Sequence, residues 1–487
     1  MPRTPPTSTA ATLAVSSAPA STSASVRQLH FGIFLFSIGY HPGAWRLPGV
    51  DPKASHDPAF IASIARKAED AKFDFFFLGD ALATSAEQQY VFPSQTVRLE
   101  PFTMVGYVAA HTQRIGLIAT ANTTYADPYH IARQTASLDH LSGGRLAWNV
   151  VTGADERAAK NFSRDHHWDN ARRYDYAEEL VDVVTQLWDS WEDGALVGDQ
   201  QAGLLVDPAK LHAIEHEGSF FRVKGPLNVA RPPQGQIPLV NAGTSPRSRA
   251  FGAARSTVVF AGVPTFEAAQ GFYSEIKAGA LANGRRAEDV SVLPGLVPYV
   301  GRTSEEAYAL YQKLSALIAA RLDTAALERD LRVPLAGLGA DDTFPAFDES
   351  DPAFAQARHF ITQARKLNRN DTPTVRHVFE YAIARGRGHF LAIGSAEEVA
   401  DTIQHWFENG AADGFNVCPP HLPAGLDDFV ELVLPILRAR GLFREEYTGS
   451  TFAAHFGGAQ KPANRFEGVR TAQAEFGRIT ETHHRVV

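Results

Sequence analysis

From Leu29 onward, short and nearly unbroken apolar runs alternate with stretches of helical period. The runs at 29–36 (LHFGIFLF), 73–79 (FDFFFLG), 114–121 (RIGLIATA) and 145–151 (RLAWNVV) predict strands, as do 237–242 (IPLVNA), 256–262 (STVVFAG), 291–300 (SVLPGLVPYV) and 414–418 (GFNVC). They are apolar throughout instead of alternating, the pattern of strands buried on both faces. Between them, Phe60, Ile61, Ile64, Ala65 and Ala68 recur at helical spacing within 57–71. Asp57-Pro58 supplies a cap and a proline for the first turn, and Asp127-Pro128 repeats the device before PYHIARQTASL. Further helices are predicted near 101–112, 171–192, 265–283, 303–320, 396–410 and 428–440.

Eight such strands with interleaved helices fit an α/β protein, a closed (β/α)8 TIM barrel, with an open doubly wound sheet as the structural rival. Two gaps, near 193–236 and 321–395, are too long for the simple unit and read as insertions that roof a pocket. The barrel then occupies 29–465, and 466–487 form a C-terminal tail. Residues 1–28 are rich in Ser, Thr, Ala and Pro, contain no acid, and read as an N-terminal tail. A cleaved signal is the alternative, resting on Ala18-Pro19-Ala20.

Composition narrows the class. Of 487 residues, 44% are hydrophobic and 21% charged, enough for a large core. The net charge of −8, with no block of Lys or Arg, argues against nucleic acid and anionic membranes as partners. Cys418 is the single cysteine, which excludes an intrachain disulfide. With no apolar run of about 18 residues, the chain reads as a soluble, cytoplasmic protein.

In a barrel the chemistry gathers at the C-terminal strand ends. Polar or small residues follow the apolar runs there: Gly79-Asp80, Thr120-Ala121-Asn122, Asn149 through Gly153, and Asn241 through Pro246. An acid directly after FDFFFL is costly to bury without a partner, so Asp80 is either functional or a cap. Gly243-Thr244-Ser245 precede a helix starting at Pro246, so free N–H groups and hydroxyls converge as a phosphate site requires; an ordinary capped turn is the plainer reading. No GxGxxG follows a strand, and neither a Walker motif nor a GxSxG elbow occurs. His212-Ala-Ile-Glu-His216 fits the inverted zincin pattern, but Gly218 and a strand-like SFFRV follow it where a long helix is needed. His166 and His167 are adjacent and point apart in any regular element.

These strand ends sit within longer motifs: HPGAWR from His41, FDFFFLGD, TTYADPYHIARQTASLDHLSGGRLAWNVVT, NFSRD, RYDYAEEL, FFRVKGPLNVARPPQGQIPLVNAGTS and DGFNVCPPHLPAGLDDFVELVLPILRARGLFREEY. With them the chain, from about Phe31 to Arg465, resembles the luciferase-like monooxygenases, in particular the nitrilotriacetate and dibenzothiophene-sulfone monooxygenase subgroup. The resemblance implies a barrel that uses FMN, as FMNH2 from a separate NAD(P)H:flavin reductase, and O2 to oxygenate a small organic substrate through a flavin C4a-hydroperoxide. It also implies a homo-oligomer. Family FMN contacts fall on Asp80, Thr120, Tyr174 and Ser245, with Asn149 and Thr244 added by position. Asn170 stands where the family usually has histidine, Asn241 where it has glutamine, and Pro246-Arg247 follow Ser245 in place of small or acidic residues.

His41 and His130, both after strands, are the candidates for proton handling. Phe34, Phe36, Tyr40 and Trp45 are the candidates for an apolar substrate pocket. Two rival activities remain at this point: a flavin- or deazaflavin-dependent dehydrogenase on the same barrel, and a zinc hydrolase through His212 and His216.

Overall fold

A computed structural model describes residues 27–86, 96–318, 322, 324–386, 388–458 and 461–467. The expected tails, 1–28 and 466–487, lie outside these apart from 27–28 and 466–467. Arg27 is anchored, its guanidinium donating to the carbonyls of Phe407 and Ala412.

All eight predicted strands are present: β1 (His30–Leu35), β2 (Phe75–Leu78), β3 (Gly116–Asn122), β4 (Leu146–Val151), β5 (Leu239–Ala242), β6 (Val258–Ala261), β7 (Ser291–Gly301) and β9 (Gly414–Val417). Each pairs in parallel with its neighbours, β1 with β9 and β6 with β7, so the sheet closes into a barrel and the open-sheet alternative falls. A further strand, β8 (Phe390–Ser395), pairs in parallel with the outer half of β7. It lies in the range expected to be insertion.

Alternation along each strand divides two cores. Phe31, Ile33, Phe76, Leu117, Trp148 and Phe415 face the helices. Phe34, Phe75, Phe77, Ile118, Ala147, Val240 and Phe260 face the lumen, and that cluster continues without a break into the helices of the second insertion. Those helices are Thr324–Leu331, Ala355–Asn368 and Val375–Ala384. The first insertion holds two small antiparallel ribbons, Leu196–Asp199 with Leu204–Val206 and His216–Glu217 with Arg222–Val223.

The helices begin where their caps place them. Asp57 accepts from Ala59 N before α1 (Pro58–Asp70). Asp127 accepts from Tyr129 N and His130 N before α2 (Pro128–Ser142), which Gly143 ends at φ +66°. Next come α3 (Asn170–Asp189) and α4 (Pro246–Arg255), the latter capped by Ser245. No helix among the described residues is long and apolar enough to cross a membrane.

Candidate active site

At the C-terminal ends of the strands lies a cavity of about 640 Å3, bounded by the ends of β2 to β6, the first turn of α3 and the turn before β8. Its size falls in the roughly 300–1,000 Å3 of cofactor and ligand sites. Asp80, Thr120, Asn149, Asn170, Tyr174, Thr244 and Ser245 all line it. Seven residues spread over more than 160 positions of sequence thus meet on one wall.

Their local geometry follows from the strands. Thr120 and Asn149 are register partners on β3 and β4 and share the lumen face. Thr120 Oγ1 donates to Leu78 O at 2.7 Å and accepts from Asn149 Nδ2 at 2.8 Å. The Asn149 side chain is buried, and among the described residues its Oδ1 has no hydrogen-bond partner. A buried acceptor left open this way costs about 1–3 kcal/mol unless a ligand donates to it. It fits a ring or ribityl donor of a flavin. Asp80 accepts from Ala81 N at 2.8 Å, and burial raises its carboxyl pKa against the opposing pull of that N–H and of Arg98.

The opposite end of this wall is cationic and polar. Ser245 Oγ accepts from Ser248 N at 3.3 Å, which caps α4 and leaves its O–H to donate toward the cavity. Gly243 packs so tightly that a Cβ there would lie 2.5 Å from Ser248 Oγ. Arg173 also lines the cavity and donates to His167 Nε2 at 2.8 Å. The His167 ring is therefore neutral at Nε2; burial and then the Arg173 charge lower its pKa. A helix N-terminus, two hydroxyls and an arginine form a cradle suited to a phosphate.

Two of the three departures from the family pattern have structural roles. Asn241 Oδ1 accepts from Ser248 Oγ at 2.8 Å, tying β5 to α4. Arg247 pairs with Asp175 and Glu178 of α3 and is not among the cavity's lining residues.

The other wall is aromatic: Phe34, Tyr40, Phe77, Phe260 and His389. Phe36 lies behind it under the Arg98 guanidinium, and Trp45 is exposed on a short turn, so neither joins the lining. Neither candidate for proton handling reaches the cavity. His130 is solvent-exposed in the first turn of α2. His41 is buried beside His421, with Nδ1 accepting from Gly43 N at 3.1 Å. Burial first, and His421 second, push its pKa down to about 3. The cavity's imidazole is His389, which falls inside the range 321–395 whose pattern predicts an insertion. The segment HFLAIGS, followed by Ala396-Glu397-Glu398, carried the signal of a strand and a capped helix.

His212 and His216 sit in extended segments, not on a helix. His212 Nε2 pairs with Glu192 at 2.7 Å and His216 Nε2 with Glu179 at 3.2 Å, so the zincin geometry does not form.

The family model for luciferase-like monooxygenases matches residues 31–413. The chain is 40% identical over 441 residues to N-acetyl-S-(2-succino)cysteine monooxygenase of Bacillus subtilis (strain 168), covering 90% of this chain and 98% of that protein. It is also 40% identical over 449 residues to nitrilotriacetate monooxygenase component A of Aminobacter aminovorans, again covering 90% and 98%. Among solved structures, riboflavin lyase (RcaE) with modified FMN and riboflavin superposes with a TM-score of 0.75 at 31% identity, over 90% of this chain and 98% of that chain. With the barrel, the mouth cavity and these likenesses in agreement, the chain belongs to the luciferase-like monooxygenase family and is a flavin-dependent monooxygenase.

Proposed function

We propose that the mouth cavity binds FMN, received as FMNH2 from a separate NAD(P)H:flavin reductase, and that the enzyme uses O2 to oxygenate a small organic substrate. The observation that carries the reading is the open, buried Asn149 Oδ1 at one end of a wall whose other end is the α4 N-terminus. When bound, the reduced flavin supplies the electrons that activate O2. Thr120 and Asn149 hold the ring and ribityl polar atoms, and Asp80 stands beside them. Tyr174, Asn170, Thr244, Ser245 and Arg173 hold the phosphate. Phe34, Phe77 and Phe260 exclude water and give an apolar substrate its surface.

The likeness to a protein named component A supports a reductase partner, and the likeness to a structure holding modified FMN supports the cofactor. We read the chain as a homo-oligomer, for which exposed Leu196, Val197, Leu204 and Leu205 of the first ribbon offer an apolar surface.

Ser245→Leu tests the phosphate cradle. It is expected to weaken FMN binding by about 10-fold or more and riboflavin binding much less, because riboflavin has no phosphate to lose charge-assisted bonds. Equal losses for the two ligands would make Ser245 a cap and nothing else. Oxygen uptake should require reductase and NAD(P)H together; enzyme-like oxidation of NAD(P)H by this chain alone would defeat the two-component reading.

A further inference from the structure

The aromatic wall holds one hydrogen-bonded pair that none of the assigned roles uses. His389 Nε2 lies 2.6 Å from the Tyr40 hydroxyl, and both side chains line the cavity while being 4% exposed. The His389 ring stacks on Phe260, with centroids 5.1 Å apart, and Tyr40 packs on Phe34 and Phe36. Two glycines make room for the pair. A Cβ at Gly295 of β7 would overlap the His389 ring, and one at Gly386, where φ is +56°, would overlap the Tyr40 ring. The backbone is thus shaped around this contact from two separate elements.

We propose, resting on the flavin site above, that Tyr40 and His389 deliver the proton that the reaction consumes at oxygen. The need for it follows from the balance. Reduced flavin at neutral pH is the anion FMNH−. With substrate S, the stoichiometry is FMNH− + O2 + S + H+ giving FMN, SO and H2O. Without substrate it is FMNH− + O2 + H+ giving FMN and H2O2. Either outcome requires one proton brought to an oxygen atom inside the cavity.

The pair is arranged to bring it. With His389 protonated, Nε2–H donates to the Tyr40 oxygen, and the tyrosyl O–H donates to the reacting oxygen in the cavity. Tyr40 O–H breaks as the new O–H forms on the acceptor, and His389 Nε2–H breaks as Tyr40 is reprotonated. The net transfer is one proton, from imidazolium to oxygen, with no change in electron count. Tyr40 is the catalytic donor and His389 its source. Among the described residues, Arg385 is a charged neighbour whose carbonyl accepts from His389 N, and Asp80 and Arg98 line the same cavity. The rival imidazoles are excluded by place: His130 is in solvent and His41 is off the cavity.

The experiment compares Tyr40→Phe, His389→Gln and the double variant, loaded with FMNH2 anaerobically and mixed with O2. FMN affinity, read by flavin fluorescence, is expected to stay within about 2-fold in all three, since the pair stands apart from the phosphate and ribityl contacts. Flavin reoxidation is expected to slow by roughly 100-fold in each single variant, the usual scale of general acid catalysis. The double variant should be no slower than the singles, because the two act as one unit. The wild-type dependence of the rate on pH and on D2O should vanish in all three. Retention of the pH and D2O dependence, or additive losses in the double variant, overturns the relay. Failure of the wild-type chain to bind FMN overturns it as well, but by removing the flavin site, and the affinity measurement separates the two.

Discussion

The two ends of the barrel treat buried polar groups in opposite ways. At the base, where the strands begin, Asp74 is fully buried and accepts from Phe31 N at 2.7 Å, from Arg444 Nη2 at 2.6 Å and from His30 Nδ1 at 2.9 Å. Arg145 spends five donors on Ser142 O, Thr112 Oγ1, Thr112 O, Ile115 O and Ala109 O. At the mouth, among the described residues, Asn149 Oδ1 has no partner, and the Asp80 carboxylate accepts one backbone N–H, with the Arg98 charge nearby. Asp74 and Arg145, satisfied by the protein's own groups, stabilise the fold; Asn149 Oδ1 lies open beside the cavity, where a ligand could satisfy it. The difference divides stability from function along the barrel axis.

The largest test of that division is Asp74→Ala. Burial alone would raise the Asp74 pKa, but Arg444 and His30 hold it below the ordinary value, which marks the carboxylate as a paired charge. Removing it strands the Arg444 guanidinium and Phe31 N, at a cost of about 3–5 kcal/mol. Urea denaturation should show the loss, while the molecules still folded bind FMN as before. A loss below about 1 kcal/mol would mean the base is not where stability is concentrated.

Acid titration separates the two ends next. His41 and His421 lie in the loops after β1 and β9, on the mouth side, and burial is the main cause that puts their pKa values at about 3 and about 4. Each is neutral when folded but takes a proton near 6.5 when unfolded. Their stabilisation is therefore complete above about pH 6.5 and is lost as pH falls toward 4, by up to about 1.4 kcal/mol per unit for each ring. Asp139, at the base, has the opposite sign. Burial raises its pKa to about 6, so it favours the fold below about pH 4 and loses that contribution as pH rises to 6. Among these three groups, two rings against one carboxyl leave a loss of about 1.4 kcal/mol per unit on acidification between pH 6 and 4, and His359, held down to about 4 mainly by burial, adds to it. Replacing His41 and His421 with Gln should make the slope shallower, leaving His359 to set what remains; an unchanged slope would mean neither ring is buried neutral.

The mouth's two walls differ in how far sequence alone reveals them. The polar wall consists of residues that directly follow apolar runs, so placing the strands placed Asp80, Thr120, Asn149 and Ser245. Thr120 and Asn149 could be paired only by register, which requires the closed barrel. The aromatic wall depends on a turn reached through the second insertion, whose helices pack on the lumen cluster and return the chain at His389. No local pattern tells that a histidine at position 389 meets a tyrosine at position 40. The strand β8 was hidden for a related reason: it pairs with only the outer half of β7 and lies outside the closed ring. The caps at Asp57, Asp127 and Ser245 were readable because each acts within three residues of itself.

Asn149→Leu sharpens the contrast at smaller scale. The substitution removes an open acceptor and one bond to Thr120, whose hydroxyl still donates to Leu78 O. Stability should change by less than about 1 kcal/mol, since replacing an unsatisfied buried group with an apolar one is close to neutral. FMN affinity should fall by about 10-fold, the worth of one hydrogen bond to the ligand. Thermal denaturation without flavin and fluorescence titration with it give both numbers. A large loss of stability with unchanged affinity would place Asn149 with the base residues.

The smallest expected effect is at Asn170, where the family usually carries histidine. Asn170 is exposed at the start of α3 and lines the cavity beside Arg173 and Tyr174. In Asn170→His, an imidazolium would add charge-assisted bonding to the FMN phosphate. Three terms oppose it. A cation in the first turn of a helix is disfavoured by about 0.3–1 kcal/mol, the Arg173 guanidinium is a like charge, and solvent screens an exposed pair. The gain should therefore be modest, about 2–3-fold tighter FMN binding near pH 6, fading by pH 8 as the ring loses its proton around its ordinary pKa of about 6.5. It should also shrink in high salt and be absent for riboflavin. The measurement is FMN and riboflavin affinity for both proteins between about pH 5.5 and 8, at two salt concentrations. Parallel FMN curves would mean that position 170 does not face the phosphate, leaving Thr244, Ser245 and Arg173 to hold it without help from the tip of α3.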